Sequence, residues 1–217
     1  MSRFSTIIFD LDGTLIHSVP DMHAAVNALL VEESAQPLDE ATVQSFVGNG
    51  LPKLVERVIG AAGLDMARHQ ELSDRTLAFY NRENGARTHP YPGVSELLDG
   101  LSARGAALGI CTNKPEAPAH HILEHLGLAR RFPVIVGGDS LEKRKPDPEP
   151  LLHTMRTLGS DAAQTLYVGD SEVDAETAQR AGLPFALYTR GYRKSPVEDF
   201  ETVLAFDHFD ELAEYLS

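Results

Sequence analysis

The chain has 217 residues, 42% of them hydrophobic and 24% charged, with a formal net charge of −13. This composition fits one soluble globular domain, or a domain with a modest insertion. The acidic balance argues against nucleic acid as a partner, because phosphate backbones are held by dense Lys/Arg surfaces. No apolar run approaches the ~20 residues that cross a bilayer, so no membrane is expected either. The single cysteine, Cys111, excludes an intramolecular disulfide, which fits a cytoplasmic chain, and its place at the end of a predicted strand reads as a buried inert thiol. The apolar start is broken by Asp10 and Asp12 and shows no cleavage pattern, so no secretory leader is expected.

Taken in chain order, the run Thr6-Ile7-Ile8-Phe9 reads as a buried strand. It is followed by Asp10-Leu11-Asp12-Gly13-Thr14, where Gly13 permits a sharp turn. Ser18-Val19-Pro20-Asp21 reads as a helix start with a capping box. Leu51, Leu54, Val55, Val58 and Ile59 follow an amphipathic stripe, and a further helix is expected from about Glu71 to Asn84. His89-Pro90-Tyr91-Pro92-Gly93 then reads as a stiff connection. Strands are predicted at residues 106–111, 134–136, 165–168 and 185–187, alternating with helices at residues 94–104, 116–126, 150–158 and 172–181. Strand–helix alternation implies an α/β fold, a Rossmann-like parallel sheet covered on both faces. The interval between the first two core strands is too long for a plain crossover and reads as helical. The expected organisation is a core from 1–17 and 88–217 and an inserted helical cap from 18–87.

Candidate site residues fall at the ends of the predicted strands, where open parallel sheets bind ligands. Asp10 and Asp12 leave the first strand together, and two such acids repel each other unless a cation or a proton stands between them. A polar turn is the alternative reading of the same residues. The strand Leu108-Gly109-Ile110-Cys111 ends in Thr112-Asn113-Lys114, and Leu166-Tyr167-Val168-Gly169 ends in Asp170-Ser171-Glu172-Val173-Asp174. Between them lies Lys145-Pro146-Asp147-Pro148. The basic run Lys143-Arg144-Lys145 is otherwise a solvated loop, and the nine histidines show no metal-ligand spacing.

These four segments, in this order, resemble the motifs of the haloacid dehalogenase-like hydrolases over nearly the whole length. Within that superfamily the chain is similar to the bacterial phosphoglycolate phosphatases. The likeness rests on Thr112-Asn113-Lys114-Pro115, Gly137-Gly138-Asp139, Lys145-Pro146-Asp147-Pro148-Glu149-Pro150-Leu151 and Val168-Gly169-Asp170-Ser171. The resemblance implies a phosphomonoester hydrolase acting on a small phosphorylated metabolite, with Asp10 as the nucleophile that forms an aspartyl-phosphate. It makes Asp12 the general acid and base, and assigns Mg²⁺ to Asp10, Asp170 and the backbone carbonyl of Asp12. Thr112 and Asn113 would bind the phosphoryl oxygens, and Lys145 would pair with them or with Asp10.

Several alternatives stay open at this level. Thr112 could instead cap the following helix, and Lys145 could be an exposed loop lysine. Asp174 reads equally as a helix cap and as an acid that orients Lys145 or a metal-bound water. His17 stands where many relatives carry Asp, and it either lines the cap opening or flanks a helix. The turn Gly48-Asn49-Gly50, at the start of the 51–59 helix, is expected to meet a substrate carboxylate or to be an ordinary turn. Lys53 and Arg57 would assist it or be solvated. The expected substrate is 2-phosphoglycolate. Rivals are a broad phosphatase for sugar phosphates or nucleotides, a phosphomutase of the same superfamily, and a non-catalytic phosphate-binding regulator. A monomer and a homodimer fit equally well.

Overall fold

The computed structural model describes residues 3–83 and 85–217. In chain order the elements are β1 (Thr6–Phe9), β2 (Ile16–His17), α1 (Val19–Glu32), α2 (Glu40–Phe46), α3 (Leu51–Ala62), α4 (His69–Glu83) and β3 (His89–Pro90). They continue as α5 (Val94–Ala103), β4 (Ala107–Cys111), α6 (Glu116–His125), β5 (Val134–Val136), α7 (Glu149–Thr157) and β6 (Thr165–Gly169). The chain ends through α8 (Glu172–Ala181), β7 (Phe185–Tyr188), β8 (Leu204–Phe206) and α9 (Phe209–Tyr215). It divides into two compact units, 1–16 with 90–217, and 17–89.

The first unit is an α/β fold around a six-stranded sheet of order β5-β4-β1-β6-β7-β8, with its neighbouring strands parallel. Its core follows the two-residue period of the pleat. Ile7 and Phe9 face one way, with Ile110 and Val168, into a cluster that includes Leu97 of α5, Leu123 of α6 and Leu212 of α9. Ile8 and Tyr167 face the other way, with Leu151 and Met155 of α7. β1 is central: Phe9 lies opposite Ile110 of β4 on one side and Val168 of β6 on the other. Asp10, Thr112 and Asp170 therefore leave neighbouring strands at nearly the same level. The chain runs outward from β1 to β4 and β5, then returns to place β6 on the opposite side. That reversal opens the crevice beyond the carboxyl ends of the strands.

The predicted strands and helices of this unit are present, and where their ends differ from the expectation they do so by one residue. β8 and α9 are additional to the expectation.

The second unit is helical. α1 packs against α4 and α2, and α3 packs against α4. The α3 stripe buries Leu54, Val55, Val58 and Ile59, whereas Leu51 is only half-buried. α4 begins two residues before the expected Glu71, and the expected end at Asn84 lies outside the described residues. α2 was not anticipated, because only Val43 of its seven residues is buried. Ser18 does occupy the N-cap of α1, but its side chain makes no capping bond. The capping-box reading is corrected there: the buried Asp21 carboxylate accepts the backbone N–H of Arg87 (3.1 Å) and Thr88 (2.9 Å) and the Thr88 hydroxyl. A carboxylate that satisfies donors far along the chain ties the two ends of the helical unit together.

Replacing Asp21 by Ala would strand those donors, and the expected cost is about 2–3 kcal/mol. Thermal denaturation should show a Tm lower by roughly 4–10 °C. A Tm within about 1 °C of the parent would show that the carboxylate does not hold the unit together.

Candidate active site

The turn after β1 is tight. Thr14, Leu15 and Ile16 all donate their N–H groups to the Leu11 carbonyl, and Gly13 adopts φ +90°. The turn must also pass close to Asp170: a Cβ on Gly13 would stand 2.5 Å from Asp170 Oδ2. Gly191, in the loop after β7, approaches the same residue, and its Cβ would stand 2.3 Å from Asp170 Cβ. Two backbone segments thus close over one buried carboxylate. Asp170 Oδ1 accepts the Thr14 hydroxyl at 2.7 Å, and Oδ2 accepts the Tyr192 N–H at 2.6 Å. Burial, with the nearby Asp174 and Asp10 charges, raises its pKa well above the usual carboxylate range.

Asp10 and Asp174 are bridged by one cation. The Lys145 ammonium lies 2.8 Å from Asp10 Oδ1 and 2.6 Å from Asp174 Oδ1, with the Tyr167 hydroxyl at 3.0 Å. The side chain of Lys145 is only 3% exposed, so the exposed-loop alternative does not hold. Burial would lower the lysine pKa, but the Asp10 and Asp174 charges outweigh it and hold the ammonium protonated. Asp174 serves two purposes at once. Its Oδ1 takes Lys145 and the Tyr167 hydroxyl, while Oδ2 takes the Ser171 hydroxyl (2.6 Å) and N–H (3.1 Å) at the start of α8. Burial alone would raise its pKa, but Lys145 and these donors hold it below the ordinary value. Asp10 is balanced differently. Burial and Asp174 raise it against the pull of Lys145, to about 6. Its Oδ1 is buried beside the lysine without a well-directed hydrogen bond.

Asp12 points to a second lysine. The Lys114 ammonium sits 3.2 Å from Asp12 Oδ1 and 3.3 Å from Oδ2. Thr112 is buried, and its hydroxyl oxygen accepts the N–H of Lys114 at 3.2 Å. It does not cap α6, whose first N–H goes to Asp139 Oδ1 at 2.7 Å. The Asn113 amide donates to the Lys145 carbonyl at 3.1 Å, joining the two loops, and burial pushes the Cys111 thiol up to about 12. Gly48, Asn49 and Gly50 lie in the helical unit just before α3. There Asn49 Oδ1 accepts from Arg57 at 2.9 Å, and Arg57 also donates to the Phe46 carbonyl at 2.6 Å. Arg57 is a brace for its own turn rather than a solvated side chain. His17 ring-stacks edge-on with His89, 5.4 Å between centroids, and lies 3.9 Å from Glu40.

The model of the haloacid dehalogenase-like hydrolase family matches residues 7–188. The chain belongs to that family. It is 48% identical over 212 residues to a phosphoglycolate phosphatase of Cereibacter sphaeroides, covering 97% of this chain and 96% of the relative. A phosphoglycolate phosphatase of Rhodospirillum rubrum is 46% identical, covering 97% and 90%. The crystal structure of a predicted phosphoglycolate phosphatase from Haemophilus somnus superposes over the full length of both chains, with a TM-score of 0.94 at 30% identity. The chain is thus a hydrolytic enzyme of the phosphatase kind.

Within this family member, the side chains at the sheet edge carry an unbalanced charge. Four carboxylates (Asp10, Asp12, Asp170, Asp174) face two ammonium groups (Lys114, Lys145), so full ionisation leaves 4 − 2 = 2 negative charges. Oxygens of Asp10, Asp170 and Asp174 lie within 4.8 Å of one another. Asp174 Oδ1 is already paired with the Lys145 ammonium at 2.6 Å, whereas Asp170 meets only the neutral donors of Thr14 and Tyr192, so Asp10 and Asp170 are the pair better suited to a hard divalent cation. Sequence reasoning missed Lys114, Tyr167, Gly191 and Tyr192 as parts of this site. Of these only Lys114 left a signal, a cation directly after a strand end.

The raised pKa of Asp10 couples metal binding to pH. Without a cation, the protonated form is favoured below about 6, and the stability it adds is lost as pH rises through that value. A cation must displace that proton and the one that burial favours on Asp170, so affinity for a divalent ion should strengthen at least about tenfold between pH 5 and 7, with proton release. Titration calorimetry in two buffers of different ionisation enthalpy reads both effects. A pH-independent affinity without proton release would contradict this account of Asp10.

Proposed function

We propose that the chain is a Mg²⁺-dependent phosphomonoesterase that works through an aspartyl-phosphate on Asp10, and that its substrate is 2-phosphoglycolate. The observation that carries the chemistry is Asp10 held at the end of β1 by a buried lysine that Asp174 orients. The substrate comes from the names of the relatives, which align over nearly the whole chain.

In this reading Asp10 attacks phosphorus in line, and the bond from phosphorus to the ester oxygen breaks. Asp12 gives its proton to the departing alkoxide, then takes a proton from the water that attacks the phosphoryl-aspartate. That second attack frees phosphate and returns the Asp10 carboxylate. Lys145, the Thr112 hydroxyl and the Asn113 N–H stabilise the phosphoryl oxygens, whose charge is the main barrier to attack. Mg²⁺, held by Asp10, Asp170 and the Asp12 carbonyl, would supply neutralisation of the nucleophile and the phosphoryl group. Asp174 and Tyr167 keep the Lys145 ammonium aimed at Asp10.

Two experiments test this proposal. Phosphate release with and without Mg²⁺ should favour 2-phosphoglycolate over sugar phosphates, nucleoside monophosphates and pyrophosphate. Equal, weak release across the panel would remove the substrate assignment. Asp10→Asn should abolish turnover, a fall of at least about 10³-fold, while circular dichroism shows the fold intact. Appreciable activity in that folded variant would refute the nucleophile.

A further inference from the structure

Lys114 has no part in the chemistry described above, yet it is held as firmly as the groups that do. Its side chain is 5% exposed, although a buried lysine must be offset by charge or hydrogen bonds. Its main chain is fixed at both ends: the N–H donates to Thr112 Oγ1 at 3.2 Å, and the carbonyl accepts from Gly138 N–H at 2.8 Å. The turn that carries Thr112 therefore also sets the ammonium against Asp12.

We infer that Lys114 reads the charge on the substrate's leaving group, pairing with a carboxylate that lies one methylene from the ester oxygen. This deepens the proposed function and rests on it. Asp12 must reach the ester oxygen to protonate it, so an ammonium 3.2 Å from Asp12 stands beside the same oxygen. Anything carried one carbon away comes within its reach. The other buried ammonium is already taken up: Lys145 has three protons, and Asp10, Asp174 and the Tyr167 hydroxyl lie within 3.0 Å of it. The Lys114 contacts to Asp12 are longer, and an ammonium can serve two carboxylates at once. An ester with a neutral leaving group would gain nothing from this lysine.

The test compares kcat/KM for 2-phosphoglycolate with that for its uncharged amide, 2-phosphoglycolamide, in the parent enzyme and in Lys114→Met. The parent should favour the acid, and Lys114→Met should collapse that preference by roughly 10- to 100-fold, the worth of a hydrogen bond to a charged group. Lys114→Arg, which keeps the cation, should retain most of it. If Lys114→Met does not fold, Lys114→Gln makes the same comparison. Equal losses on both esters would mean that Lys114 only positions Asp12, and would overturn the inference. So would a collapse caused by Asn49→Ala, in the helical unit, but not by the lysine variants. A parent enzyme without preference for the acid would instead overturn the substrate proposal itself.

Discussion

The ion triad of Asp10, Lys145 and Asp174 is the constraint around which the catalytic unit is arranged. An ammonium that is 3% exposed is tolerable only between two carboxylates, one directly after β1 and the other in the first turn of α8, the helix that follows the adjacent strand β6. Asp174 reaches back from the first turn of α8 to the loop that holds Lys145, and Tyr167 supports the ammonium from within β6. Breaking one member of such a buried group is far more damaging than the pair's net worth suggests, because it leaves a charge without a partner. The same triad sets unlike acids side by side. Asp174, rich in donors, is held ionised; Asp10, with one cation and little else, is raised to about 6; Asp170, buried beside both, is also raised above the usual carboxylate range. Asp10, Asp170 and Asp174 are close enough to hold a divalent ion, and the Lys145 ammonium on Asp174 Oδ1 makes the Asp10–Asp170 side the one proposed for it.

The net charge of −13 and an anionic substrate are compatible for the same reason. Local balance governs binding. Two buried lysines and a divalent ion would together offset the four carboxylates of the site, so the charge met by an anionic substrate there is set by these groups and not by the total.

The sequence revealed much of this arrangement, and the gaps have physical causes. Asp10, Asp12, Thr112 and Asp170 were legible because each follows a short apolar run, and strand ends in a parallel sheet converge on one edge. The helical insertion was legible in the α3 stripe and in the length of the interval. Tyr167 was hidden because its ring belongs to the core of β6 and only its hydroxyl serves the site. Tyr192 was hidden because it contributes a backbone N–H, which any residue type could supply. β8 was too short to stand out, and the outward face of α2 gave no stripe. Asp21 followed a local capping pattern, but its carboxylate was recruited by donors more than sixty residues away. Local patterns report local options, and the tertiary structure chose another.

The claim at the centre of this account is that Asp10 receives the phosphoryl group while Asp170, and not Asp174, shares the metal with it. A crystal structure grown with Mg²⁺ and beryllium trifluoride tests this directly. The account predicts trifluoroberyllate bonded to an Asp10 oxygen, with the ion between Asp10 and Asp170 and the Lys145–Asp174 contact kept. A trifluoroberyllate group on another residue, or an ion that displaces Lys145 from Asp174, would contradict it.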